Sequence, residues 1–294
     1  MNNLSKKSAM GAFLALSLNL VACKENSLVT PDQPLTEATK VVNDISPNLP
    51  KKYTLTKRGA ANLTYYSDGR LKRVMYGPDV RGNTNTRTEY TYGAGSINAI
   101  SYVGNNLLAD QTYLIDETTG RCTEYKGLQY LYSNSSQTEK TELVYQYNTK
   151  GQLKTASDKA NAAIRTEYTY NVDGDMIRAI HYGMNYSTLA ISVQSDFTFA
   201  YDQPTGDPVL ADLSPINVDE TGFPDPFLKV FGKTSKHLVK LIMEKSTPGG
   251  SYFTYTLNAD GYAMERKKYS LFNAASIETI PFNYLVTNLG FTTL

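Results

Sequence analysis

The side chains able to do chemistry are few, and each can be weighed by its neighbours. Thiols occur only at Cys23 and Cys122, and imidazoles only at His181 and His237. Two histidines cannot make a His-rich zinc site without several carboxylates, and no His-Glu-x-x-His spacing is present. His181 lies between Ile180 and Tyr182 in an alternating stretch, where a packed or solvated ring is expected rather than a ligand or base. Gly232-Lys233-Thr234 matches the end of a phosphate loop, but Phe227 stands where the first glycine is required. Asn171-Val172-Asp173-Gly174-Asp175 has the look of a calcium loop, yet its glycine comes too early and no glutamate closes it, so a hairpin turn is the expectation. There is no Gly-x-Ser-x-Gly elbow. Any of the 28 acidic residues could pair in a cleft as glycosidases require, but the sequence singles out no such pair. No catalytic residue, cofactor site or metal site is therefore assigned, and Cys122, in a strand-like context without a nearby His, is expected to be a small buried side chain.

Cys23 is different because of what precedes it. Lys6 and Lys7 lead into an apolar run from Met10 to Ala22, too short to span a bilayer but right for the core of a secretory signal. Leu20-Val21-Ala22-Cys23 resembles the lipobox of bacterial lipoproteins. That resemblance implies that residues 1–22 are a signal peptide and that Cys23 carries a diacylglycerol as the new N-terminus. It also implies that the protein's membrane partner is reached through lipid. With Cys23 acylated, Cys122 has no intramolecular disulfide partner.

The elements that follow read as β-structure. From residue 23 to about residue 50 the chain is polar, carries Pro31, Pro34, Pro47 and Pro50, and is read as a tether in which Ala38 to Ile45 could form a short helix. Residues 51–294 carry most of the 23 Tyr and 10 Phe, with no Trp, a composition suited to pleated surfaces. Lys and Arg total 29 against 28 Asp and Glu, with no long run of one sign, which argues against a nucleic-acid surface.

A Tyr-rich alternating stretch, a glycine turn and a second apolar stretch recur at intervals of roughly 25 to 30 residues. Examples are Leu63 to Leu71, Thr88 to Ile97, Leu143 to Leu153 and Phe253 to Gly261, and Thr88-Glu89-Tyr90-Thr91-Tyr92 is duplicated at Thr166-Glu167-Tyr168-Thr169-Tyr170. Each unit is expected to be a β-hairpin, its Asp-Gly or Lys-Gly supplying positive φ at the turn. The whole is expected to be one all-β domain, an antiparallel hairpin meander of about 14 strands curled into a barrel or half-barrel. Pro204 to Pro226 is expected to be a loop inserted between strands, Pro226 to Phe231 a turn of helix, and His237 to Glu244 a strand with Val239, Leu241 and Met243 on one face. The repeated tyrosines are expected to pack across strands rather than form a sugar-stacking platform.

Tyr66-Ser67-Asp68-Gly69-Arg70-Leu71 and Tyr170-Asn171-Val172-Asp173-Gly174 are similar to the tyrosine-aspartate repeats of Rhs-type surface proteins. Taken with the lipobox, the tether and the segments Phe231-Gly232-Lys233 and Asp260-Gly261-Tyr262, the chain resembles an uncharacterised family of Bacteroidetes lipoproteins with a porin-like fold. This resemblance implies an outer-membrane lipoprotein, and Lys24-Glu25 partly matches the signal associated there with display on the cell surface, Asn26 departing from it. A membrane-spanning wall is not expected, since Arg70-Leu71-Lys72-Arg73-Val74 and Glu265-Arg266-Lys267-Lys268 would place charge against lipid. The functional expectation is a noncatalytic envelope module that binds a glycan or an envelope protein, or that is structural. A glycan-binding accessory of a nutrient-uptake system and an envelope-polymer hydrolase with a carboxylate pair are the alternatives.

Overall fold

A computed structural model describes residues 51–78, 85–130, 138–204, 206–210, 223, 225–245 and 249–289. The signal, the lipobox Leu20, Val21, Ala22 and Cys23, the neighbouring Lys24 and Glu25, and the tether lie outside these residues. So does the polar loop around residues 133–136.

Sixteen strands form a closed antiparallel barrel: β1 (Lys51–Arg58), β2 (Ala61–Tyr65), β3 (Leu71–Met75), β4 (Thr86–Gly93), β5 (Ser96–Val103), β6 (Asn106–Asp116), β7 (Arg121–Tyr130), β8 (Thr138–Tyr147), β9 (Leu153–Asp158), β10 (Arg165–Tyr170), β11 (Met176–Asn185), β12 (Ala190–Ala200), β13 (Leu241–Glu244), β14 (Gly249–Leu257), β15 (Ala263–Ser270) and β16 (Ser276–Asn288). Each strand pairs with its sequence neighbours, and β1 pairs with β16 from Lys51↔Asn288 to Arg58↔Phe282. The expectation of a meander curled into a barrel is met, with two strands more than the estimate. Closure leaves no sheet edge to protect.

Four hairpins at one end of the barrel share one turn. Tyr66, Asn148, Asn171 and Asn258 each donate a backbone N–H to the residue four positions on, while the intervening Gly69, Gly151, Gly174 and Gly261 each donate back to them. These glycines have φ of 86, 83, 96 and 85°, a left-handed conformation that disfavours any side chain. The side-chain Oδ1 of Asn148, Asn171 and Asn258 also accepts a backbone N–H from the far side of its turn, at 2.9–3.0 Å. The apolar residue that follows, Leu71, Leu153, Met176 or Ala263, is buried. We call this the turn end; Lys51, the first described residue, also lies there.

The inner wall is packed by pairing large against small. Tyr90 faces Ala99, Tyr145 faces Ala156 and Tyr168 faces Ala179 across neighbouring strands, and all six are buried. Near the turn end, inward tyrosines also lock adjacent strands: Tyr65 donates to Leu55 O, Tyr92 to Leu71 O, Tyr147 to Cys122 O and Tyr284 to Ala263 O, at 2.6–3.0 Å. These inward tyrosines are thus packing and strand-clamping residues, as the alternation implies.

The outer wall is charged. The two copies of Thr-Glu-Tyr-Thr-Tyr build the same surface unit: Arg87 Nε donates to Glu89 and Arg165 Nε to Glu167, at 3.1 and 2.6 Å. Each guanidinium also covers a tyrosine ring on the next strand, Tyr102 at 4.4 Å and Tyr182 at 4.3 Å. Lys140–Glu142, Lys159–Glu124 and the bidentate Arg178–Asp196 pair continue the pattern around the barrel. Glu265 and Lys267 also face outward, whereas Arg266 between them turns inward over Phe253.

The connection from β12 to β13 corrects two expectations. As anticipated, it is an insertion between strands, but its described residues fold into the barrel and fill it. Pro226 to Phe231 makes bends and a turn rather than a helix, because Asp225 Oδ1 takes the N–H groups of Phe227 and Leu228 at 2.8 and 3.1 Å and fixes a compact turn there. His237 to Lys240 is not a strand either; only Leu241–Glu244 is. Leu238, Val239, Lys240, Leu241 and Ile242 are all buried and Met243 is exposed, so the expected face of Val239, Leu241 and Met243 does not exist. The cause is that Leu238 and Val239 are covered by the inserted segment and by β14 (Leu238 N to Val209 O, 2.7 Å; Tyr255 Oη to Val239 O, 2.7 Å), and the chain enters the wall only at Lys240, whose N–H reaches Ala200 O at 2.9 Å and whose carbonyl accepts the N–H of Phe253 at 2.8 Å.

Candidate functional site

The inserted segment is held by an aromatic seat and two carboxylates. Phe231 packs against Tyr113, Tyr145 and Phe223 with ring centroids 6.0, 5.5 and 5.8 Å apart, and Phe223 stacks on Tyr168 at 5.7 Å. These partners come from β6, β8 and β10, so the segment lies across the inner wall as a plug. Asp225 is buried and accepts a 2.7 Å hydrogen bond from Tyr90 Oη. Burial raises its carboxyl above the ordinary carboxylate range, opposed by the hydrogen bonds from Tyr90, Phe227 and Leu228.

The second carboxylate is Asp175, 3% exposed, directly after the Gly174 turn. Its Oδ1 accepts the backbone N–H of His237 at 2.8 Å and its Oδ2 lies 2.7 Å from His237 Nδ1. Beside it, Ser235 Oγ accepts the N–H of Met176 at 3.0 Å and lies 3.0 Å from Tyr201 Oη, which itself donates to Met176 O at 2.7 Å. Serine, histidine and aspartate thus share one neighbourhood, but the serine oxygen is committed to a backbone donor and a tyrosine. The arrangement clasps the plug to the β10–β11 turn. Sequence reasoning recognised the turn and missed the clasp, whose partners lie 62 positions apart.

The remaining sequence candidates resolve as structural. Cys122 is fully buried, its Sγ 3.1 Å from Glu124 O, and burial pushes the thiol up to about 12, so it is no nucleophile at neutral pH. His181 is half-buried on β11 with Nδ1 3.2 Å from Thr166 Oγ1, and burial lowers its pKa. Gly232 of Gly232-Lys233-Thr234 is no phosphate loop; it packs on the neighbouring turn, where an added Cβ would lie 2.4 Å from Gly151 O. Among the described residues no group of three or more His, Cys, Asp or Glu side chains could hold a metal ion.

Among the described residues a concave surface lies beside the plug. A pocket of about 650 Å³ at the turn end is bounded by the turns of β8–β9 and β10–β11 and by the plug. Its floor includes Phe223, Leu228 and Phe231, and its rim carries Lys150, Lys229, Lys233 and Lys236 with one carboxylate, Asp173. Nothing in the sequence shows that Lys229, Lys233 and Lys236 are exposed or brings them to Lys150.

No family model matches the chain, and no curated protein does. Among solved structures it is similar to two proteins described as porin-like. One, from Bacteroides vulgatus ATCC 8482, has 13% identity and a TM-score of 0.54, covering 80% of this chain and 99% of that one. The other, from Bacteroides uniformis ATCC 8492, has 17% identity and a TM-score of 0.49, covering 82% and 92%. What this chain shares with the B. vulgatus protein is the fold, along nearly that protein's whole length.

Proposed function

We propose that this chain is a noncatalytic binding module of the cell envelope, a plugged barrel held at the outer membrane by a lipid on Cys23 rather than by its own wall. The observation that carries this reading is the outer wall. Arg87, Glu89, Lys140, Glu142, Arg165, Glu167, Arg178 and Asp196 all sit on strands, in pairs, facing away from the core. On a lipid-facing wall each Arg or Lys near the midplane would cost about 2–4 kcal/mol. The filled interior supports the same reading, since Tyr90, Tyr113, Phe253 and Phe282 are fully buried where a channel would run.

Nothing in the described carboxylates favours a hydrolase. Asp175, Asp196 and Asp225, the buried ones, are each engaged by structural partners. The lipobox resemblance supplies the anchor, and Lys24-Glu25 the suggestion of surface display. Metabolic labelling with a palmitate analogue tests the first: wild type incorporates label and Cys23→Ala does not, and equal labelling refutes it. Planar-bilayer recording on the purified chain tests the second half: no stepwise conductance is expected, and discrete channel openings would overturn the plugged-barrel reading. Protease shaving of intact cells decides surface display.

A further inference from the structure

We infer that the lysine-rimmed pocket at the turn end binds an anionic saccharide, one bearing uronate or phosphate groups; this rests on the binding-module reading and names the ligand class of its site. The chain as a whole is nearly neutral, with a net charge of +1, yet among the described residues four lysines and one carboxylate line this pocket. Many wall cations, among them Arg87, Lys140, Arg165 and Arg178, are neutralised by neighbouring carboxylates. At the pocket, among the described residues, Lys229, Lys233 and Lys236 enter no ion pair and Lys150 Nζ reaches Val172 O at 3.4 Å, so unneutralised cations are gathered in one place. A cleft walled by one sign of charge raises the local concentration of the opposite sign.

The floor narrows the class. Half-buried Phe223 and Pro226, backed by buried Leu228 and Phe231, give an apolar base for sugar rings, and the volume suits a ligand of a few rings rather than a lone ion. The lining is poor in groups that would read a nucleobase edge. Its one amide, Gln152, is buried and already used at both ends, Nε2 donating to Gly174 O at 2.8 Å and Oε1 accepting from Asn148 Nδ2 at 3.0 Å. What remains presented is positive charge around an apolar base. The rim is also held firmly, since Lys233 N donates to Gly151 O at 2.9 Å and the Asp175–His237 clasp lies next to Lys236.

Isothermal titration of the purified full chain in zwitterionic micelles tests this with tetragalacturonate, maltotetraose, adenosine monophosphate and inorganic phosphate. A second arm uses vesicles containing lipopolysaccharide, which separates a soluble polymer from a membrane glycolipid as the source of the same chemistry. Tetragalacturonate or the lipopolysaccharide vesicles should bind at least about tenfold more tightly than the other probes, and more weakly as salt rises. Lys233→Gln/Lys236→Gln should reduce that binding by about tenfold or more with an unchanged thermal unfolding profile, because both side chains are exposed. Lys267→Gln, on the far wall, should leave binding intact. The inference is overturned if neither anionic saccharide binds, if maltotetraose, adenosine monophosphate or phosphate binds as tightly, or if the double variant binds normally. Labelling and conductance do not involve this pocket, so its failure is separable from failure of the anchored, plugged-barrel reading.

Discussion

Phe231→Ala is the sharpest probe of the plug. The ring is 6% exposed and meets Tyr113, Tyr145 and Phe223 at 5.5–6.0 Å, two of those partners on the barrel wall and one on the plug itself. Deleting it removes buried apolar surface and leaves a cavity lined by stiff aromatic rings that collapse poorly, which sets the expected cost at about 3–5 kcal/mol. For a domain of this size that corresponds to a fall in Tm of roughly 6–20 °C. The chain has 23 Tyr and no Trp, so near-ultraviolet circular dichroism reports tyrosine packing directly, and urea unfolding can be followed by the same signal. Phe272→Ala is the control: its ring is 75% exposed at the β15–β16 hairpin and should change stability by no more than about 0.5 kcal/mol. A loss below about 1 kcal/mol for Phe231→Ala would refute the packed plug, because even a partly relaxed site of this burial costs more.

Further expectations follow from single groups. Asp225 has its carboxyl raised by burial, so its contribution is fully present below the ordinary carboxylate pKa and is lost as pH rises through the raised value; the urea midpoint of wild type relative to Asp225→Asn should therefore fall from acid to neutral pH, and a relative rise would contradict the reasoning. Asp196 behaves oppositely, because Arg178 lowers its carboxyl, and the benefit is present above the ordinary pKa and lost as pH falls through the lowered one; Arg178→Ala should cost no more than about 1 kcal/mol at neutral pH, as its guanidinium is 40% exposed, and the cost should shrink in acid. Gly232→Ala should be far worse than Gly104→Ala by urea unfolding, although both have positive φ. A Cβ at residue 232 would sit 2.4 Å from Gly151 O, whereas one at residue 104 meets nothing within 4 Å and bears only the left-handed cost of about 1–2 kcal/mol.

The parts of the fold legible in sequence are those set by local chemistry. Asp68-Gly69, Lys150-Gly151, Asp173-Gly174 and Asp260-Gly261 each turn the chain because glycine tolerates the φ the turn needs, and period-two tyrosines mark the strands on either side. The asparagines at 148, 171 and 258 were a second signal of the same turn, readable as side chains able to cap it. The pairing of Tyr90, Tyr145 and Tyr168 with alanines was not readable, since it depends on register between strands. The plug escaped for a physical reason. A segment covered on all sides has neither period, so Leu238 to Lys240 read as part of the strand that begins at Leu241, and Pro204 to Pro226 read as a loop between strands because proline and glycine mark irregular backbone wherever it lies. The Asp175–His237 clasp and the gathering of Lys150 with Lys229, Lys233 and Lys236 are products of that inward path and are visible only once it is known.

The central claim is that attachment to the membrane resides in the lipid on Cys23 and not in the barrel wall. Carbonate extraction of membranes from cells making wild type or Cys23→Ala tests it most directly. Wild type should remain with the membrane pellet and Cys23→Ala, folded by circular dichroism, should appear in the soluble fraction. Retention of folded Cys23→Ala in the extracted membranes would contradict the account.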